Sequence, residues 1–449
     1  MQHAPKQGGA RPALAVVRGG MASPRAIQPG ELGTLLAAGA HVHLEGSFGE
    51  PVALSEGLLA GRAHFAGLPV WTTQIQPGSP LAGWEPDGTL DLRVMLSSGT
   101  LAKRIAAGTV RYVPCRYPDI GRFVDSGLLA CDVALLQVGP PDVRGFCSLG
   151  ATVGYLPALL RKARTVIAQI NPRVPRTGGD ARVALARFHA VVEREAPLHE
   201  TAPEALGAAE HAIARHVAAL VPDGATIEVG YGAIPDAVLA ALAGHQHLGV
   251  HSGMLSESMI DLVEGGAITG ARKTVDPGLV VGTVAIGTRR LYDWLDDNRD
   301  VALREAAAVC APAAIAAMPS YRAINTTLEV DLAGQAGSES VAGRLLGGYG
   351  SLVELAAGAH AAPGGLSILA LTATDATGRR SKIVPRLSSP LGATLGKLDA
   401  DVVVTEHGAA DLRLLDARAR AKALIGIADP RFREVLEAAA REQAASGGF

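Results

Sequence analysis

Short, strongly apolar runs alternate along this chain with longer stretches in which apolar residues recur at helical spacing. Residues 41–44, 110–113, 133–138 and 165–169 read as buried strands, with helices over 52–60 and 101–107 between them. Strands interleaved with helices predict βαβ units and a largely parallel sheet. Residues 171–179 hold two prolines and two glycines, which break any regular element, so this segment is expected to carry the chain out of a first unit. An acidic, Pro-containing stretch from 193 reads as a linker. The pattern then repeats: a helix over 205–221, a strand over 226–230, a helix over 235–243, a strand over 249–252, a helix over 255–264, and strands over 279–285, 367–371 and 401–405. The expected fold is α/β, with two Rossmann-like open-sheet domains and a cleft between them. The expected boundaries are a poorly ordered tail at 1–28, an N-terminal domain at 29–192, a linker at 193–204 and a C-terminal domain at 205–449. Ligands of such folds bind at the carboxyl ends of the strands.

Composition narrows the function. The 449 residues are 48% hydrophobic, 19% charged and only 4% aromatic, so the core is built from Ala, Val, Leu and Ile. A formal net charge of −2 and the lack of a Lys/Arg run argue against nucleic acid as a partner. No apolar run reaches the ~18 residues of a membrane span. The four cysteines (Cys115, Cys131, Cys147, Cys310) are widely spaced, without C-x-x-C, which argues against a disulfide framework or zinc ribbon and fits a reducing cytoplasm. The cluster His245, His247, His251 lacks a carboxylate frame, so no metal is expected. Neither a P-loop nor a G-x-S-x-G elbow is present.

Several separated motifs carry candidate chemistry. Gly347-Gly348-Tyr349-Gly350 and Gly230-Tyr231-Gly232 are turns whose backbone can approach a ligand and donate N–H groups; each can equally be a turn that starts a helix. Glu406 follows an apolar strand and precedes Gly408 by two residues, which puts it at a sheet's carboxyl edge as a base, a helix cap or an ion-pair member. Glu228 alternates with Ile227 and Val229, facing either solvent or the cleft. Glu257 lies about one helical turn after Gly253 and can reach the cleft or cap the helix.

These motifs resemble the acetyl-CoA hydrolase/transferase family, which includes the 4-hydroxybutyrate and succinyl/acetate CoA-transferases. The resemblance runs from about residue 30 to near the C-terminus. It rests on the turn at Glu45 to Pro51, on Asp132 to Asp142 followed by Gly145 to Gly150, on Thr226 to Pro235, and on Ala271-Arg272-Lys273-Thr274. Gly287 to Tyr292, Ile324 to Leu332 and Val404 to Arg413 complete it. It implies coenzyme A or acyl-CoA as substrate, a carboxylic acid as acceptor, a homodimer, and CoA contacts from the two Gly-rich turns and Lys273.

The chain departs from the family at its centre. His251-Ser252-Gly253-Met254 is similar to a turn whose third residue is the family's nucleophilic Glu, and here that residue is Gly253. In the family the Glu matching Glu406 faces that nucleophile. Cys310 stands where the family commonly has Asn, and Gly350-Ser351-Leu352-Val353-Glu354 replaces the second half of its Gly-rich loop. A glycine forms no acyl intermediate. The expected function is therefore direct attack on an acyl-CoA thioester by water or a bound acceptor. The alternatives are a CoA-transferase that uses a substitute carboxylate (Glu406, Glu257 or Glu228), or a catalytically silent CoA-binding protein.

Overall fold

The computed structural model describes residues 23–97, 99–389 and 391–446. Most of the tail expected at 1–28 lies outside them. Arg25–Ala26 forms an edge strand parallel to Ala190–Glu193, and Ile27 beside it is buried.

The first sheet has eight strands, in the order Arg25–Ala26, Ala190–Glu193, Thr165–Ile170, Val133–Val138, Val42–Leu44, Leu68–Thr72, Leu90–Val94 and Arg111–Tyr112. Every neighbouring pair is parallel. All six residues of Val133–Val138 are buried, as expected of a parallel strand covered on both faces. From Val42–Leu44 the chain winds outward through Leu68–Thr72 to Arg111–Tyr112. It then returns to Val133–Val138 on the other side and winds the opposite way. The topological switch point lies between Val42–Leu44 and Val133–Val138.

The second sheet has six strands, in the order Gly249–Val250, Thr226–Val229, Arg322–Thr326, Leu366–Ala370, Val402–Thr405 and Gly408–Asp411; only the last pair is antiparallel. Its switch point lies between Thr226–Val229 and Arg322–Thr326. Two α/β sheets with matching switch points are the expected fold class.

Three local expectations are corrected. The stretch 279–285 is two strands rather than one: Val280–Gly282 pairs with Val301–Leu303, and Val284–Ile286 pairs with Met254–Ser256. That second pairing keeps residues 254–256 extended, so the helix expected at 255–264 begins at Ser258 and the strand expected at 249–252 ends at Val250. Within the irregular 171–179 segment, Gly178–Gly179 pairs in parallel with Val301–Leu303, docking a first-half loop on a second-half strand. Gly179 has φ +86°, and a Cβ there would lie 2.2 Å from the Leu303 carbonyl oxygen, so only glycine fits.

Candidate active site

A cavity of about 300 Å³ opens between the two sheets at the carboxyl ends of their strands. From the first sheet, Glu45 to Ser47 and Thr73 enter it directly beyond Val42–Leu44 and Leu68–Thr72. From the second come Glu228, Gly230 and Asn325. Gly253, Tyr349, Gly350 and Ser351 close it.

Each switch point contributes one buried carboxyl group. Glu45 is 2% exposed. One of its oxygens accepts from the Gln137 backbone N–H (2.8 Å) across the switch, and the other accepts from the Thr152 hydroxyl. Burial pushes its pKa well above the ordinary carboxylate range, against those two donors. Glu228 is also 2% exposed. Its Oε2 accepts from Asn325 Nδ2 (2.7 Å), from the strand across the second switch. Burial raises its pKa to about 8, so the carboxyl is mostly neutral at pH 7.

Gly253 lies in this cavity wall, and its backbone is fixed. Its carbonyl accepts from the Thr283 hydroxyl (2.7 Å), and the Thr283 carbonyl accepts from the backbone N–H groups of Val153 and Gly154 in the first half. A Cβ on Gly253 would lie 2.7 Å from Ser351 Oγ, and Ser351 also hydrogen-bonds the Cys310 thiol. Gly253, Ser351 and Cys310 thus adjoin one another. Burial pushes the Cys310 thiol up to about 12, which keeps it a neutral packing group rather than a nucleophile.

The other expected site residues fall in different places. Glu406 does not face Gly253: its Oε2 accepts from the Ala373 N–H (2.8 Å), and it lines a neighbouring depression that shares only Tyr231 and Thr326 with the cavity. Glu257 is turned away as well. Its carboxylate accepts from the backbone N–H (2.8 Å) and hydroxyl of Thr288, which caps the helix Arg289–Leu295, so its role is to anchor that helix start.

Gly230, Gly348 and Gly350 line the cavity, Gly232 lines the Glu406 depression, and Gly347 lines neither. Lys273 reaches neither: its buried ammonium donates to the carbonyls of Val250 (2.7 Å) and Leu279 (2.6 Å), and burial lowers its pKa to about 8. It ties strand ends together. His251 does not line the cavity; it is buried with Nε2 on the Val309 carbonyl (2.9 Å), and desolvation lowers its pKa to about 4.

Among the described residues no group of three or more His, Cys, Asp or Glu is placed to hold a metal ion, and no helix is long and apolar enough to cross a membrane. Glu45 entered the sequence reading only as the start of a Gly-rich turn and not as a candidate site residue, although it meets the criterion that selected Glu406, a carboxylate after a strand and before glycine.

Comparison with known proteins agrees with this architecture. Residues 23–199 match the acetyl-CoA hydrolase/transferase N-terminal domain and residues 287–440 its C-terminal domain. The 4-hydroxybutyrate coenzyme A transferase of Clostridium kluyveri is 35% identical over 388 residues, 86% of this chain and 90% of that protein. The succinyl-CoA:acetate/propanoyl-CoA:succinate CoA transferase of Fasciola hepatica is 38% identical over 348 residues, 77% of this chain and 73% of that one. RipA from Yersinia pestis has a TM-score of 0.88 at 31% identity, covering 94% of this chain and 98% of that one. With both domain models matched in order and the fold shared nearly end to end, the chain belongs to the acetyl-CoA hydrolase/transferase family.

Proposed function

We propose that the cavity binds the thioester end of an acyl-CoA and that a bound carboxylic acid, or water in its place, attacks the thioester directly, without a covalent acyl–enzyme intermediate. The observation that carries this reading is the pairing of Gly253 with Glu228 in one cavity wall. The first offers no nucleophile, and the second offers a carboxyl group held neutral by burial. A neutral lining admits an anionic acceptor without like-charge repulsion.

In this reading the proton of the neutral Glu228 carboxyl sits on Oε1, opposite the Asn325 donor on Oε2, and hydrogen-bonds the thioester oxygen as negative charge develops there. The acceptor carboxylate bonds to the acyl carbon, the C–S bond breaks, and CoA leaves as thiolate. The thiolate then attacks the acceptor's carbonyl carbon in the resulting mixed anhydride and expels the donor acid. With water as the attacking group, the products are the free acid and CoA. Both schemes balance without a redox partner or metal.

A substitute carboxylate is the second reading, and Glu228 is the residue that supports it, because it alone of the expected substitutes lines the cavity. Gly253→Glu distinguishes the readings. Its backbone conformation accepts a side chain and only the flexible Ser351 hydroxyl must move. The variant is expected to acquire a hydroxylamine-sensitive adduct at residue 253 that the parent lacks. Failure of the parent to turn over any acyl-CoA that it binds would support a silent binding protein instead. Family resemblance supports a homodimer, and the four free cysteines support a reducing, cytoplasmic setting.

A further inference from the structure

A second depression, of about 710 Å³, shares no lining residue with the cavity or with the Glu406 site. It is formed where the first half docks on the second. Phe146–Ser148 pairs with Arg182–Ala184, and Gly178–Gly179 pairs with Val301–Leu303, bringing four separate chain segments to one rim. Those segments carry five arginines: Arg144, Arg176, Arg182, Arg299 and Arg304. Only two carboxylates line the same space, Asp142 and Asp297. In a chain of formal net charge −2, this is a local concentration of positive charge.

The cations are incompletely neutralised. Among the described residues Arg144 and Arg299 make no ion pair, and Arg176 approaches Asp297 only to 3.8 Å. Arg304 pairs outside the lining with Asp276 (2.6 Å), while its Nε is buried without a hydrogen-bond partner. Arg182 pairs with Asp142 (3.3 Å) and lies 4.4 Å over the ring of Phe146, which is still 36% exposed. Guanidinium forks suit phosphate oxygens, and an exposed aromatic ring under a guanidinium offers a stacking surface for a base.

We infer that this depression is a nucleotide-binding site, its arginines taking a diphosphate and the Phe146–Arg182 face taking the base. Two sources share that chemistry: a free nucleoside diphosphate, and the nucleotide end of a CoA. The test is calorimetric titration of the full-length protein with ADP and with inorganic pyrophosphate at low salt. Arg144→Glu/Arg299→Glu alters two exposed residues without ion pairs, and thermal melts check that it folds as the parent does.

The site predicts that both probes bind the parent, and roughly tenfold or more weaker the double variant. It also predicts that Phe146→Ala weakens ADP but not pyrophosphate. ADP that still binds with the cleft saturated by acyl-CoA identifies the free nucleotide. ADP displaced by acyl-CoA but not by the acyl-pantetheine fragment identifies CoA's own nucleotide. Absence of binding of either probe to the parent, or equal binding by a folded double variant, overturns the inference. Equal binding of ADP by Phe146→Ala overturns the nucleotide assignment.

Discussion

Glu228 combines near-complete burial, a single side-chain donor on one oxygen and a place at the second sheet's switch point. If it acts as a neutral donor to the thioester oxygen, activity falls as pH rises through about 8, where the carboxyl ionises. Glu228→Gln keeps an N–H donor at that position. It is expected to retain most activity at pH 7 and to lose the alkaline fall, whereas Glu228→Ala loses roughly 10²-fold or more in kcat/KM. Initial rates across pH 6–10 for the three proteins check this. A glutamine variant that is dead at pH 7 sinks the donor role.

At this scale the sequence was partly legible. Gly253 was expected at the cleft from the turn that holds it, and it lines the cavity. Glu228, by contrast, could not be told from a solvent-facing strand residue, since burial of a mid-strand carboxylate depends on which side the opposing half covers. Lys273 looked like a ligand-binding cation. Its ammonium instead satisfies two strand-end carbonyls, a long-range arrangement that no local pattern encodes.

At the level of elements, the site depends on strands too short to read from periodicity. Met254–Ser256 and Val284–Ile286 have three residues each and exist because they pair with one another, not because their patterns demand it. Between Val280–Gly282 and Val284–Ile286, Thr283 holds the Gly253 carbonyl and receives the first-half loop at Val153 and Gly154. Thr283→Val keeps the shape and removes the donor. It is expected to cost about 0.5–1.5 kcal/mol, because the part-buried Gly253 carbonyl loses its partner, read as a lower urea midpoint at unchanged slope. Gly179→Ala puts a methyl against the Leu303 carbonyl in a left-handed backbone region. The expected loss is roughly 1–3 kcal/mol or more, checked by the same unfolding curves. The long apolar strands were legible because a fully buried parallel strand leaves a continuous apolar run, as over 133–138.

Across the whole molecule, two carboxyl groups with raised pKa values face one cavity, and this sets a pH dependence of stability. A group that binds its proton more tightly when folded stabilises the fold below its unfolded pKa and gives up that stability as pH rises to its folded one. For Glu228 the window runs from its ordinary 4.5 to about 8, with Glu45 acting in the same direction. Within the window each pH unit costs up to about 1.4 kcal/mol per group. Urea unfolding of Glu228→Gln is expected to show a shallower decline between pH 5 and 8 than the parent; identical slopes would remove Glu228 from this account. The two-sheet architecture followed from alternation of strands and helices, and the cleft from the general behaviour of such sheets. Which carboxylates meet there followed only from strand order, as Glu45 and Glu406 show: both end apolar strands before glycine, and only Glu45 sits at a switch point.

The most direct test of direct thioester attack is to incubate the parent protein with an acyl-CoA and a carboxylic acid acceptor, quench with borohydride, and map every glutamate by peptide mass spectrometry. The account predicts acyl transfer or hydrolysis with all glutamates unmodified. A reduced adduct at Glu228, Glu45 or Glu406 during turnover would contradict it.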